Sequence, residues 1–199
     1  MTKSILTKFG QERSATDYAV MSRESMKWLK LKIDELRNTS SIPKTISRES
    51  MRYDKRFMIG KMYCFFYDPK GKDDLPYYDK FPMIIALEKY PDGFLGLNLH
   101  YLPHKYRVAF LTKLLDYASF DANNDVKRLR VSYDILTASK RFREFKPCLK
   151  RYLTSHIRSK ILAIEPSEFE VASFLPIHQF KGAKPTEVWQ ESIDQIKGK

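Results

Sequence analysis

Two apolar runs flank Pro91-Asp92-Gly93: Met83 to Tyr90 before it and Phe94 to Tyr101 after it. A tight turn between two runs of strand length is a hairpin signal, and it commits this part of the chain to antiparallel pairing. In the second run Leu95, Leu97, Leu99 and Tyr101 fall on one face, and Phe94, Gly96, Asn98 and His100 on the other. Upstream, Lys61-Met62-Tyr63-Cys64-Phe65-Phe66-Tyr67 reads as an aromatic-rich strand closed by the turn residues Asp68-Pro69-Lys70-Gly71. Downstream, Ile161-Leu162-Ala163-Ile164 suits a fourth short strand. Short strands with tight turns favour antiparallel pairing over βαβ crossovers.

Helical periodicity occupies the flanks. From Thr16 to Arg37, Tyr18, Met21, Met26, Leu29, Ile33 and Leu36 recur at mostly three- and four-residue spacings, with Arg23, Lys27, Lys30, Lys32 and Arg37 at other positions. The acids Glu24, Asp34 and Glu35 mixed into this helix favour docking on its own domain over a membrane surface. Pro103 opens a second helix with Val108, Phe110, Leu111, Leu114 and Leu115 on its apolar side, and Leu149, Tyr152, Leu153 and Ile157 give a further helical stripe. Ser167 caps a short helix, and Pro185 to Ile196 form a last one. The expected class is α+β: a small antiparallel sheet, drawn as a partly closed SH3-like barrel, with inserted and appended helices. Residues 1–57 are expected to form a basic amphipathic helix and linker or arm. Residues 58–199 are expected to form the core domain, including a basic helical block at 126–160.

The charge is concentrated. The 199 residues carry 36 Lys and Arg against 24 Asp and Glu, a net charge of +12. Residues 126–160 hold 11 basic residues and two acids, and residues 1–57 hold 13 and seven, while the stretches 58–125 and 161–199 are close to neutral. Such a local excess points to a polyanion, bound through its phosphates without base readout. Lys127, Arg128, Arg130, Lys140, Arg141, Arg143, Lys146, Lys150, Arg151, Arg158 and Lys160 are the expected DNA-binding residues, with Arg23, Lys27 and Lys30 extending the surface. Tyr77 and Tyr78 beside Lys80 form an aromatic-basic mixture suited to stacking on exposed bases, although packing of this proline-rich loop on the sheet explains the same letters. Asn98 and His100 are a further polar pair, read either as a contact or as a hydrogen-bonded brace at the strand end.

Signals for catalysis are weak. No glycine-rich phosphate loop occurs, and Lys89-Tyr90-Pro91-Asp92-Gly93 has one residue too many for a nucleotidyl-transferase Lys-x-Asp-Gly. Asp68, Asp73, Asp74, Asp79 and Glu88 are the carboxylates a metal nuclease would draw on, but the four aspartates sit in or beside loops where turn formation and solvation account for them. Four scattered histidines do not suggest a zinc site, and Pro103 separates His100 from His104. Cys64 and Cys148 read as core thiols. No catalytic residue, metal or cofactor is expected. No apolar run approaches the roughly 18 residues of a membrane span, and the first residues lack an apolar signal segment.

Several strings resemble the DNA end protector proteins of T-even-type tailed phages. They are Ile59-Gly60-Lys61-Met62-Tyr63, Tyr67-Asp68-Pro69-Lys70, Leu75 to Pro82, Gly93 to Pro103, Arg130 to Leu136 and Phe145 to Leu153. The resemblance runs from about Ile59 to Trp189 and leaves the N-terminal helix outside it. It implies a non-enzymatic virion protein, bound to the ends of packaged linear double-stranded DNA, that shields them from exonuclease and contributes to head completion. The implied location is the virion head or neck, with host cytoplasm during assembly and after injection. A second reading is a structural neck, portal or baseplate protein acting through portal or neck contacts, or as a homo-oligomer. A weaker third is a metal-dependent nuclease using Asp68, Asp79 or Glu88.

Overall fold

A computed structural model describes residues 15–38, 59–104, 106–108, 110–111, 143–164 and 168–198. Helix α1 spans Ala15–Asn38. The strands are β1 Met62–Cys64, β2 Tyr78–Asp79, β3 Met83–Tyr90, β4 Gly93–Asn98, β5 Leu149–Leu153, β6 Leu162–Ile164 and β7 Phe180–Lys181. Helices α2, Phe169–Ser173, and α3, Pro185–Lys197, close the chain.

Five strands form one antiparallel sheet in the order β5-β4-β3-β1-β6, and β2 pairs separately with β7. The hairpin lies where the sequence places it, with Tyr90 opposite Gly93 and a bulge between Ala86 and Glu88. Alternation divides the sheet's side chains. Met62, Cys64, Met83, Ile85, Leu87, Leu97, Leu162 and Ile164 face the main core, which Leu29, Leu99, Phe169 and Val188 complete from the helical layer. Tyr63, Ile84, Ala86, Phe94 and Tyr152 face a smaller aromatic cluster with Phe65, Tyr67 and Ile157. Both cysteines are buried free thiols, and loss of solvent pushes the Cys148 thiol up to about 12.

The α+β class and the antiparallel sheet stand. Three details differ. Among the described residues the sheet is open, with β5 and β6 as its edges, so the barrel drawn from the sequence does not close. The third strand stops at Asn98, and Leu99–Tyr101 form a 3-10 turn capped by the Asn98 side chain, which accepts from the His100 N–H at 2.9 Å. Residues 149–153 are an edge strand, not a helix. Phe94 lies opposite Tyr152 with the rings stacked at 5.4 Å, and Gly96 leaves room for the Tyr152 ring. Pairing with β4 thus overrides a helical spacing of apolar residues.

Helix α1 docks through a buried Leu29, with Met26 and Trp28 packed against the core. Trp28 Nε1 donates to Glu168 at 3.4 Å, and Lys32 pairs with the same carboxylate at 2.7 Å. Arg23, Lys27 and Lys30 remain exposed on its outer side. A short helix begins after Pro103, where the carbonyl accepts from the Tyr106 and Arg107 N–H groups, and Val108, Phe110 and Leu111 are buried. Helix α3 starts at Pro185, with the Lys184 N–H donating to Glu187, and ends at Gly198 in a left-handed conformation with φ 75°. No helix among the described residues is long and apolar enough to cross a membrane.

Candidate nucleic-acid interface

Part of the expected basic surface is in view. Lys127, Arg128, Arg130, Lys140 and Arg141 lie outside the described residues; Arg143 opens a 3-10 segment whose first side chains also lie outside them. Lys146, Arg151, Arg158 and Lys160 are exposed, and Lys150 is partly buried. Arg151 pairs with Asp92 and stacks 4.0 Å from the Tyr90 ring centroid. Arg158 donates to the Ser155 carbonyl at 3.3 Å and faces Asp68 at 3.7 Å, a carboxylate also held by Lys72. Lys150 places its ammonium 4.2 Å from the centroid of the Tyr101 ring.

Strand β5 carries Lys150 and Arg151 to the loop that bears Tyr77 and Tyr78. The two segments enclose a cleft of about 350 Å³, whose lining includes Tyr67, Lys70, Asp79, Tyr101 and Tyr152. Tyr77 lies 6.1 Å from Tyr101 and 6.2 Å from Phe180, and its hydroxyl donates to Glu191 at 2.8 Å. Phe81 packs on Phe66 instead, and Lys80 extends into solvent while its backbone ties the loop to Tyr67 and Gln179. Burial lowers the pKa of Lys150, outweighing smaller opposing effects from Cys148 and Glu191.

Beneath the cleft lies a buried polar centre. Asp79 Oδ2 accepts from Asn98 Nδ2 at 3.0 Å and from His100 Nδ1 at 2.7 Å. Its Oδ1 accepts from the Phe81 N–H at 3.0 Å and the Gln179 N–H at 3.4 Å. The second Asn98 amide proton goes to the Tyr152 hydroxyl at 3.0 Å. Burial works to raise the Asp79 pKa, but His100, Asn98 and the Phe81 amide outweigh it and hold the carboxyl below its ordinary value. Burial likewise pushes His100 down, more than Asp79 pulls it up, so the pair is a carboxylate receiving the Nδ1 proton of a neutral imidazole.

The 3-10 turn is clamped from two further sides. Arg107, fully buried, donates to the carbonyls of Leu99 at 3.1 Å, Leu175 at 3.1 Å and Leu102 at 3.4 Å, and desolvation brings its pKa to about 10. Trp189 Nε1 donates to the His100 carbonyl at 2.8 Å. Asn98 and His100 are therefore a structural brace, fully buried and closed to a docked duplex. Asp79 is no solvated loop residue, as the sequence suggested, but the acceptor that four donors share. The signal was present: two polar side chains in the apolar 94–101 run require a buried partner. Arg107 carried no comparable signal, since an arginine on a helix reads as surface.

Asp68, Asp79 and Glu88 do not assemble; among the described residues no three His, Cys, Asp or Glu side chains are placed to hold a metal ion. Three histidines do meet, with His178 6.0 Å from His100 and 5.6 Å from His104, ring to ring, and 5.1 Å from Trp189. Burial first, then neighbouring Arg107 and imidazoles, bring His104 to about 3 and His178 to about 4. The unfolded chain takes up these protons near the ordinary pKa of about 6.5. Stability is therefore full above that value and falls as pH drops toward the native pKa values. The melting temperature is expected to decline from pH 7 to 5, above the carboxylate range, and His178→Phe should flatten that decline. An unchanged pH profile in the variant would remove His178 from this account.

No curated protein and no solved structure matches the chain. The family described as phage T4 terminal DNA protecting protein matches residues 11–192, so the likeness reaches past Ile59 to include α1. Over nearly its whole length, then, this chain belongs to the phage T4 terminal DNA protecting protein family.

Proposed function

We propose that the protein binds the ends of packaged linear duplex DNA without catalysis, shields them from exonuclease, and contributes to completion of the phage head. The observation that carries this reading is the approach of Lys150 and Arg151 to Tyr77 and Tyr78 around one cleft, in a chain whose basic excess is concentrated at 126–160. Lys146, Arg158 and Lys160 are also exposed, as are Arg23, Lys27 and Lys30 on α1. Contacts of this kind neutralise phosphate and carry no base sequence. That suits a protein whose target is a terminus. In this reading the protein sits in the virion head or neck, near portal or neck proteins, and enters the host cytoplasm with the DNA.

The test is a double charge reversal, Lys150→Glu with Arg151→Glu. Loss of two phosphate contacts should lower the slope of log affinity against log salt by about 2 and weaken binding at least tenfold near physiological salt. Protection of linear duplex from exonuclease should fall in parallel. A folded double variant with wild-type affinity and salt slope would overturn the assignment of β5 to the interface.

A further inference from the structure

The cleft beside β5 suits something smaller than a duplex. Its volume of about 350 Å³ is at the low end of the roughly 300–1,000 Å³ of small-molecule sites. A B-form helix, whose major groove alone is about 12 Å wide, cannot enter it. Phenol rings make up much of the lining, with Tyr77 and Tyr101 inclined at 37° and Tyr67, Tyr78 and Tyr152 beside them. Lys70, Lys150 and Arg151 add positive charge.

The charge balance inside the cleft points to an anion. Arg151 already has Asp92, Lys150 feels the Glu191 carboxylate less than its own burial, and Lys70 forms no ion pair among the described residues. Asp79 does not serve, because its side chain is 2% exposed and both oxygens accept from internal donors. Burial of the Lys150 ammonium outweighs what Glu191 returns, and the Tyr101 face offsets only part of the cost, so an anion between Lys70 and Lys150 would be stabilising. Aromatic faces beside cations are the elements from which single-stranded nucleotides are bound.

We propose that this cleft holds the terminal nucleotide of one DNA strand, unpaired from its complement, with the base against the tyrosine wall and its phosphate between Lys70 and Lys150. The proposal rests on the DNA-end reading above and supplies its discrimination. An internal nucleotide must be unstacked on both sides to leave the helix, whereas a terminal one frays with a single stack to break. The exposed basic residues would then hold the following duplex by its phosphates.

The experiment uses the full chain and 2-aminopurine placed at the 5′ terminus, at the 3′ terminus or at the centre of a duplex. A duplex of the same sequence with both ends covalently capped is the control for end binding. The expected result is a severalfold change in 2-aminopurine fluorescence at one terminus, none at the centre, and tighter binding to linear than to capped DNA. Lys70→Gln, at an exposed position, should reduce the terminal signal at least threefold and narrow the linear-over-capped preference. Preference for linear DNA with no terminal signal, or a terminal signal unchanged in Lys70→Gln, would overturn the cleft assignment and leave end binding intact. Equal affinity for linear and capped DNA would overturn the end reading itself.

Discussion

Asp79→Ala is expected to destabilise the protein by about 3–5 kcal/mol, because it strands several buried donors at once. The carboxylate is the shared acceptor for Asn98, His100 and the Phe81 and Gln179 amides. Each donor left dry and unpaired costs about 1–3 kcal/mol, and water entering the space recovers part of the sum. Urea unfolding should show a lower midpoint at an unchanged slope. The pH dependence has a definite sign. Because the folded pKa of Asp79 is depressed, its contribution is present above the ordinary carboxylate value and lost as pH falls through the folded value. The deficit of the variant should therefore be largest at neutral pH and shrink in acid. A loss below about 1 kcal/mol at pH 7 would mean that the donors have other acceptors.

Helix α1, the 83–98 hairpin and α3 were legible because each is set by local chemistry: a 3.6-residue period, a Pro-Asp turn, a proline at a helix start. The face assignments in β4 held for the same reason, with Leu95 and Leu97 toward the main core and Phe94 toward the aromatic cluster. Segment 149–157 failed because Leu149, Tyr152, Leu153 and Ile157 satisfy a helical spacing as well as a short edge strand. What decides between them is Phe94 and Gly96, far away in sequence. The cleft was half legible. Local composition marks Tyr77, Tyr78, Lys150 and Arg151, but their meeting depends on β5 pairing with β4 and on β2 pairing with β7. Asp79 was misread because its letters sit among prolines and a lysine, and only the fold brings Asn98 and His100 to it.

The proposed interface depends on the position of β5, which gives the other large effect. A Cβ at Gly93 would stand 1.9 Å from the Tyr152 carbonyl oxygen, 2.9 Å from its carbon and 3.1 Å from the Leu153 Cα. All three are backbone atoms of β5, so no rotamer change relieves the overlap. Gly93→Ala should cost about 3 kcal/mol, the upper end for overpacking, by forcing β5 away from β4. Gly96→Ala is the matched control. Its Cβ would meet Ile84 Cβ and Tyr152 Cε2, both at 3.2 Å; the Tyr152 ring can tilt, and the β3 backbone that carries Ile84 Cβ need give only a few tenths of an ångström, so about 1 kcal/mol is expected. The two variants should separate again in function. Displacing β5 at Gly93 carries Lys150 and Arg151 away from the tyrosine wall, so exonuclease protection should fall in Gly93→Ala even at temperatures where the protein remains folded. Gly96→Ala should retain it. Equal stability and equal protection in the two alanine variants would show that β5 is free to shift, and that the geometry of the cleft does not depend on its close approach to the hairpin.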